Sequence, residues 1–178
     1  MRLLAPLAVA VLLAAGCATP KMTHGIPNLD EVESGIWRGG QPTDEGWRWL
    51  VSAGVNRVVK LNPPNEADDT VARLLGLEVM DLPISLTAQT TGVPSPARLD
   101  AAVAAIQPGT FIHCTHGEDR TGLVLGLWRV RECGWTKRRA HAEMLDHGFH
   151  PLLRGLEWAW ETEPEHPGAH DFSPTNPR

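Results

Sequence analysis

Helix-like and strand-like segments alternate along the chain from residue 36 to residue 113, and this alternation is the strongest limit on its fold. Strand patterns cover residues 36–38, 55–61, 77–82 and 110–113. Helix patterns cover residues 44–53, 68–75, 97–106, 121–132, 136–146 and 151–161. Strands joined through helices favour a parallel sheet with the helices packed on it. We therefore predict an α/β fold with a mostly parallel central sheet flanked by helices.

The length of the chain suits one ordinary domain, and its net charge bears on the kind of partner it can bind. The sequence has 178 residues, of which 42% are hydrophobic and 21% charged, enough for one hydrophobic core. Its formal net charge is -5. Because nucleic-acid-binding domains present a basic surface, we expect no nucleic-acid partner.

The N-terminus has the layout of a secretory signal. Met1 and Arg2 precede an apolar run over residues 3–15, followed by Gly16 and Cys17. The run is shorter than the roughly 20 residues of a membrane-spanning helix, so residues 1–17 are interpreted as a signal peptide. A plain secretory signal with an incidental cysteine is the alternative.

The end of this segment, residues 13–17, resembles the lipobox of bacterial lipoproteins. The resemblance implies that Cys17 is lipidated and becomes the new N-terminus. Ala18 stands where an Asp would imply retention in the inner membrane. We therefore expect a lipid-anchored protein of the bacterial cell envelope, at the outer membrane and facing the periplasm.

The composition of residues 18–178 predicts a tether, a folded domain and a tail. Residues 18–30 are rich in Pro, Gly, Thr and Asn and are predicted to form a tether. The domain is predicted over residues 31–163. Residues 164–178 are rich in Pro and His and are predicted to form a disordered tail.

Two cysteines, Cys114 and Cys133, follow the leader. A helix over residues 121–132 separates them by roughly 18 Å at 1.5 Å per residue. A disulfide requires Cα atoms within about 7 Å. Cys114 is therefore predicted to be a free thiol even in an oxidising compartment.

The segment HCTHGEDRTG runs from the last predicted buried strand into a predicted helix. A loop in this position directs successive backbone N–H groups into one concavity at the positive end of the helix, which binds phosphate. The candidate phosphate-binding residues are Cys114, Thr115, His116, Gly117, Glu118, Asp119 and Arg120.

Residue types in this loop suit phosphoryl transfer. The helix end stabilises a thiolate at Cys114, which can attack phosphorus in line. The guanidinium of Arg120 offers two parallel donors to the phosphate oxygens. The hydroxyl of Thr121 is a candidate to stabilise Cys114 as a leaving group when water hydrolyses a phosphocysteine.

The same loop resembles that of the cysteine-dependent protein tyrosine phosphatase superfamily, especially the small bacterial dual-specificity type. The resemblance covers about residues 35–160, because residues 37–42 (WRGGQP) also resemble an opening motif of those enzymes. It implies Cys114 as nucleophile, Arg120 as phosphate clamp and Thr121 as helper hydroxyl, with neither a metal nor a cofactor. Phosphorylated proteins and small phosphate esters are the implied substrates. Glu118 stands where a lysine is frequent, which makes polyphosphorylated inositols unfavourable substrates.

Two alternative functions remain open at this stage. A catalytically weak or inactive relative would keep the loop as a phosphate-binding module, and a rhodanese-like sulfurtransferase also uses a cysteine loop between strand and helix. His141, His147 and His150 lack clear ligand spacing and are interpreted as surface or packing residues.

The general acid has two candidates. Asp81 ends a predicted strand 33 residues before Cys114, about where many members of the superfamily carry the acid. Asp119 lies within the loop, where a subset of the superfamily with an Asp-Arg pair is thought to hold it. We favour Asp119 because its position beside the leaving group requires no loop closure.

Overall fold

The computed structural model describes residues 21–171. In this part the chain forms a five-stranded sheet and a separate two-stranded hairpin. The strands are β1 Met22–Thr23, β2 Ile26–Pro27, β3 Asp30–Glu33, β4 Ile36–Gly39, β5 Arg57–Lys60, β6 Glu78–Asp81 and β7 Thr110–His113. The helices are α1 Asp44–Ser52, α2 Thr70–Leu74, α3 Leu86–Thr90, α4 Pro96–Ala104, α5 Asp119–Arg131, α6 Lys137–Asp146 and α7 Arg154–Glu161.

The main sheet has the strand order β3-β4-β7-β5-β6. Strands β4, β7, β5 and β6 are parallel, and β3 joins the edge antiparallel to β4. The predicted α/β class with a mostly parallel sheet is confirmed. His113 pairs with both Gly39 and Lys60, and Lys60 pairs with Asp81. The loops that follow the four parallel strands therefore emerge at one edge, where α/β proteins place their ligands.

Both faces of the sheet are covered. Val58 and Phe111 belong to the core on the side of α1 and α2. Val59 and Ile112 point the other way, into the core shared with α4, α5, α6 and α7. This alternation follows from the two-residue period of a strand. Helix α5 is buried throughout residues 120–130 because the sheet and three helices surround it.

Local sequence sets several helix starts. The side chains of Thr43, Ser85 and Thr136 each accept a hydrogen bond from a backbone N–H of the first turn that follows. Such caps satisfy donors that the helix itself leaves unpaired. Pro96 opens α4, where its missing N–H costs nothing.

The N-terminal part of the domain differs from the predicted tether over residues 18–30. His24 and Gly25, with φ of 48° and 72°, form the turn between β1 and β2. Ile26 is fully buried. A Cβ added at Gly39 would lie only 2.7 Å from the Ile26 side chain, too close for an ordinary contact. The segment joins the core because Gly39 leaves room for Ile26, so the folded domain includes residues 21–30.

The start of the C-terminal tail also differs from the sequence prediction. The backbone N–H of His170 donates to the carbonyl of Gly134 at 2.9 Å, and the N–H of Thr136 donates to His170 at 3.3 Å. These bonds hold His170 against the connection between α5 and α6. This packing contrasts with the disordered tail predicted from residue 164, of which residues 172–178 lie outside the described part.

Within residues 21–171, no helix is both long and apolar enough to cross a membrane. The predicted signal peptide and Cys17 lie outside the described residues. Cys114 and Cys133 are both free thiols, as the length of the intervening helix predicts.

Candidate active site

The predicted phosphate-binding loop connects β7 to α5 and lies against the end of β4. Gly117 has a φ of +78°, and a Cβ there would lie 2.3 Å from the carbonyl carbon of Gly39. The Arg38 guanidinium donates to the Gly117 carbonyl at 2.7 Å, and the Gln41 N–H donates to the Thr115 carbonyl at 3.0 Å. The loop can approach β4 this closely because residue 117 is glycine.

Arg38 supports the loop from inside the protein. Its residue is only 1% exposed, and burial lowers the pKa of its guanidinium to about 10. The nearby charges of Glu143 and Cys114 oppose that shift.

The loop offers unpaired backbone donors. The backbone N–H groups of Thr115, His116, Gly117 and Glu118 donate no hydrogen bond to any residue of the described part. Cys114, which is 3% exposed, precedes them at the end of β7. Successive unpaired N–H groups just before a helix N-terminus suit the binding of an anion.

Arg120 extends the set of donors. Its Nη2 donates to Oε2 of Glu66 at 2.6 Å, whereas Nη1 is buried and has no partner among residues 21–171. The Thr115 hydroxyl donates to the same Glu66 oxygen at 3.1 Å. A carboxylate oxygen therefore lies where two side-chain donors of the loop meet.

Thr121 follows Arg120 in the first turn of α5. Its residue is fully buried, and its hydroxyl has no hydrogen-bond partner in the described part of the chain. An unpaired buried hydroxyl costs free energy, and such groups are frequent where a reacting group binds.

A cavity of about 240 Å³ opens over the loop. Its lining residues are Leu86, Gln89, Cys114, Thr115, His116, Asp119, Arg120 and Leu153. Gly117 and Glu118 were also predicted to bind phosphate, but they are not among the residues that line this cavity. Gly117 contacts β4, and the Glu118 carboxylate accepts a hydrogen bond from Asn28 at 3.0 Å.

The structure separates the two candidates for the general acid. Asp119 lines the cavity, and its Oδ1 accepts hydrogen bonds from the backbone N–H and Nδ1 of His150 at 2.7 and 3.0 Å. Asp81 instead accepts a hydrogen bond from Arg73 at 2.5 Å, and its side chain is 48% exposed. Asp81 lies two strands away from His113, about 10 Å at the usual strand spacing. Of the two candidates, only Asp119 lines the cavity together with Cys114.

A buried polar network lies next to the start of the predicted phosphate-binding loop. His113 Nε2 donates to Asp69 Oδ2 at 2.9 Å, and neither side chain is more than 1% exposed. Gln41 donates to the other Asp69 oxygen at 2.9 Å, and Lys60 lies 3.5 Å from it. Burial opposes ionisation of Asp69, but these partners lower its pKa below the ordinary value. The network fixes the residue that precedes Cys114.

We expect Asp69→Asn to destabilise the fold by about 3 kcal/mol, because it leaves Lys60 without its buried counter-charge. The pKa of Asp69 is lower in the folded state, so its contribution is complete above the unfolded pKa, about 4, and is lost as pH falls through the folded pKa. Urea unfolding at neutral and acidic pH measures both effects. The exposed neighbour variant Asp68→Asn is the control, and equal stability of the two variants would contradict the network's role.

One group of residues offers possible metal ligands. Single ligand atoms of Glu118, Asp119 and His150 lie within 4.8 Å of one another. Asn28 already bonds Glu118, and His150 bonds Asp119. The contacts therefore account for these side chains without a cation.

Several residues of the site were not predicted from the sequence. Glu66 and Asp69 lie in the loop that follows β5, and Leu86 begins the short helix α3. The rule that ligands bind at the carboxyl ends of parallel strands would have indicated the loop after β5. No sequence pattern identifies Leu86, since a five-residue helix lacks a clear periodicity.

Comparison with known proteins agrees with this site. Residues 21–152 match the family model described as "DSP-PTPase phosphatase fused to NAD+ Kinase". A probable chloroplastic NAD kinase 2 from Oryza sativa subsp. japonica is 27% identical over 107 residues, covering 56% of this chain and 11% of the rice protein. The inositol diphosphatase DSP5 from Arabidopsis thaliana is 26% identical over 110 residues, covering 58% of this chain and 53% of that protein. The chain thus spans at most about half of these relatives.

Solved structures share the fold at low sequence identity. TpbA from P. aeruginosa superposes with a TM-score of 0.66 at 21% identity, covering 84% of this chain and 92% of that one. The core catalytic domain of the PP-IP phosphatase SIW14 from S. cerevisiae gives 0.63 at 20% identity, covering 76% and 84%. The family match spans most of the described residues and includes the loop with Cys114 and Arg120. The chain belongs to this family of DSP-PTPase phosphatases and is thus a member of the cysteine-dependent, dual-specificity-type phosphatases.

Proposed function

We propose that this protein hydrolyses phosphate monoesters through a phosphocysteine on Cys114. The observation that carries the proposal is the juxtaposition of Cys114 with unpaired loop N–H groups and the unpaired Nη1 of Arg120. These donors suit the oxygens of a phosphate, and the thiol lies in the same cavity. The family match and the retention of both Cys114 and Arg120 favour hydrolysis over a phosphate-binding module or a sulfurtransferase.

In the first step the Cys114 thiolate attacks phosphorus and the bond to the ester oxygen breaks. Asp119 gives its proton to the departing oxygen. In the second step water attacks the phosphocysteine and transfers a proton to the Asp119 carboxylate. The sulfur–phosphorus bond breaks, which releases inorganic phosphate and restores the thiolate, with the Thr121 hydroxyl stabilising the departing sulfur. Arg120 holds the equatorial oxygens throughout.

Arg120→Lys tests the clamp. Lysine keeps the charge but loses the planar pair of donors, so we expect kcat/KM to fall by about 10² to 10³. Arg98→Lys is the matched control, because Arg98 donates to the Pro83 carbonyl outside the cavity lining. A chelator is expected to leave turnover unchanged. Full activity in Arg120→Lys, or loss of activity with the chelator, would contradict the mechanism.

We further propose that the protein acts in the bacterial cell envelope on phosphorylated proteins or small phosphate esters. The support is the lipobox-like segment that ends in Cys17. A single acyl chain binds membranes only marginally, so a stable anchor requires a second signal beside it.

Metabolic labelling with a fatty acid tests the anchor. The wild-type protein is expected to incorporate the label and Cys17→Ser is not, since the acceptor thiol is missing. Cys133→Ser serves as a control for loss of another thiol and is expected to be labelled like wild type. Equal labelling of Cys17→Ser and wild type would rule out the lipobox interpretation.

A further inference from the structure

Resting on the proposed function, we infer that Asn28 is a positioning residue for phosphate binding. It orients the peptide group between His116 and Gly117, so that the Gly117 N–H is available to the anion. Asn28 follows the N-terminal hairpin of β1 and β2, 88 positions before His116 in the chain. It is not among the residues that line the cavity with Cys114, so it acts through the loop backbone and not on the substrate itself.

The Asn28 side chain bridges the turn of the loop at Gly117. Its Nδ2 donates to the His116 carbonyl and to Oε1 of Glu118, each at 3.0 Å. An amide nitrogen carries two hydrogens, so both donors are used. The two acceptors belong to the residues on either side of Gly117, which has a positive φ and packs against Gly39. Asn28 therefore holds the loop at the residue that allows its close approach to β4.

Asn28 is one of three donors that orient successive peptide groups of the loop. The loop carbonyls and their donors are Thr115 with the Gln41 N–H at 3.0 Å, His116 with the Asn28 amide at 3.0 Å, and Gly117 with the Arg38 guanidinium at 2.7 Å. A peptide group is planar and trans, so its N–H points away from its carbonyl oxygen. The N–H groups of residues 116–118 belong to these three peptide groups and therefore point away from the donors. They are among the N–H groups that have no partner in the described part of the chain.

The segment that carries Asn28 is itself fixed against the loop. The Gly40 N–H donates to the Pro27 carbonyl at 2.7 Å. A Cβ added at Gly40 would lie 2.8 Å from the Thr115 carbonyl oxygen and 2.9 Å from the Pro27 side chain. The strand end at Gly40 is therefore packed between the hairpin and the loop, which sets the distance that the Asn28 amide spans.

The backbone at position 28 restricts which residue can supply this donor. Asn28 has a φ of 48°, and its N–H donates to the Lys21 carbonyl at 2.9 Å, next to the pairing of β1 with β2. Gly, Asn, Asp and His adopt such a positive φ more readily than other residues. Among them, asparagine is the one whose side chain presents two hydrogens on a single nitrogen. The residue type at position 28 therefore meets the demands of both the turn and the loop.

Two substitutions separate the donor from the turn. Asn28→Gly tolerates the positive φ but removes the amide. Asn28→Asp keeps the shape of the side chain, but it presents acceptor oxygens to the His116 carbonyl and the Glu118 carboxylate, which repel it. If Asn28 only stabilised the hairpin, either variant would change thermal stability and leave the anion affinity of the folded protein unaltered. With two variants, the test does not depend on the folding of one of them.

The experiment is a calorimetric titration of the full-length protein with vanadate, together with steady-state hydrolysis of p-nitrophenyl phosphate. We expect the Kd for vanadate to rise about tenfold in Asn28→Gly, because one loop N–H loses its orientation, and about a hundredfold in Asn28→Asp. The value of kcat/KM should fall in parallel. His24→Asn is the matched control, because His24 has the same φ of 48° in the same hairpin but stacks on Trp49, with ring centroids 4.5 Å apart. Its vanadate Kd is expected to equal that of the wild type.

Vanadate Kd values for both Asn28 variants that match the His24→Asn control would overturn the positioning role, whatever happens to thermal stability. Wild-type turnover together with such unchanged Kd values would refute the role of Asn28 and leave the hydrolytic function intact. Vanadate binding without turnover by the wild type would refute hydrolysis, whereas weaker binding by the Asn28 variants would still support the positioning role. Absence of both turnover and vanadate binding in the wild type would refute both.

Discussion

Cys114→Ser is expected to abolish turnover, with a loss on the order of 10⁵ in kcat, while the protein still binds phosphate or vanadate. The serine hydroxyl is a far weaker nucleophile than a thiolate and leaves a phosphoserine much less readily. The side chains are nearly equal in size, so the loop N–H groups and Arg120 remain in place. Steady-state assays of the full chain and calorimetric titration with vanadate measure the two effects separately.

The control for this variant is Cys133→Ser. Cys133 is the other free thiol of the described part and lies beyond the C-terminal end of α5, so its substitution is expected to leave kcat unchanged. Normal turnover by Cys114→Ser would refute the phosphocysteine mechanism. Loss of vanadate binding together with activity would instead show that the substitution disrupts the loop.

Asp119→Asn is expected to reduce kcat by about 10² to 10⁴ on an alkyl phosphate and much less on p-nitrophenyl phosphate. An alkoxide is a poor leaving group and requires a proton from Asp119, whereas nitrophenolate departs without one. Asparagine preserves the shape of the side chain and its capacity to contact His150, which isolates the proton-transfer role. The ratio of the two rates is the diagnostic quantity.

Asp81→Asn is the matched comparison for this experiment. The Asp81 carboxylate is paired with Arg73 at the surface, so its removal is expected to leave both rates within about twofold, as exposed ion pairs contribute little. If Asp81→Asn showed the leaving-group dependence and Asp119→Asn did not, the assignment of the acid would be reversed. Such a result would require the strand end at Asp81 to move towards Cys114 during catalysis.

The order of helices and strands could be predicted from sequence because each signal is local. The buried strand β7 was predicted with its observed bounds, and the helix predicted over residues 97–106 overlaps α4. Alternation of these elements also determined the parallel sheet, since short connections through helices leave few other topologies. The loop after β7 was recognisable because phosphate chemistry imposes a fixed spacing of Cys114, Gly117 and Arg120.

Elements stabilised by distant partners were not predictable. Residues 21–30 look like a linker in sequence, yet Ile26 enters the core because Gly39, thirteen positions later, lacks a side chain. Helix α3 has five residues and depends on its contact with α7. Short segments of this kind acquire their conformation from tertiary packing, which outweighs local propensity.

The sequence by itself therefore determined the fold class and located the loop that carries Cys114 and Arg120. Tertiary structure alone decided which further residues surround them. Glu66 meets Arg120 across 54 positions of the chain, and Asp69 meets His113 across 44, because the parallel register brings the ends of β5 and β7 to one edge. It also placed Asp119, and not Asp81, in the cavity that Cys114 lines. A local motif can specify the chemistry of its own loop, but contacts between loops depend on strand order and register, which no single segment encodes.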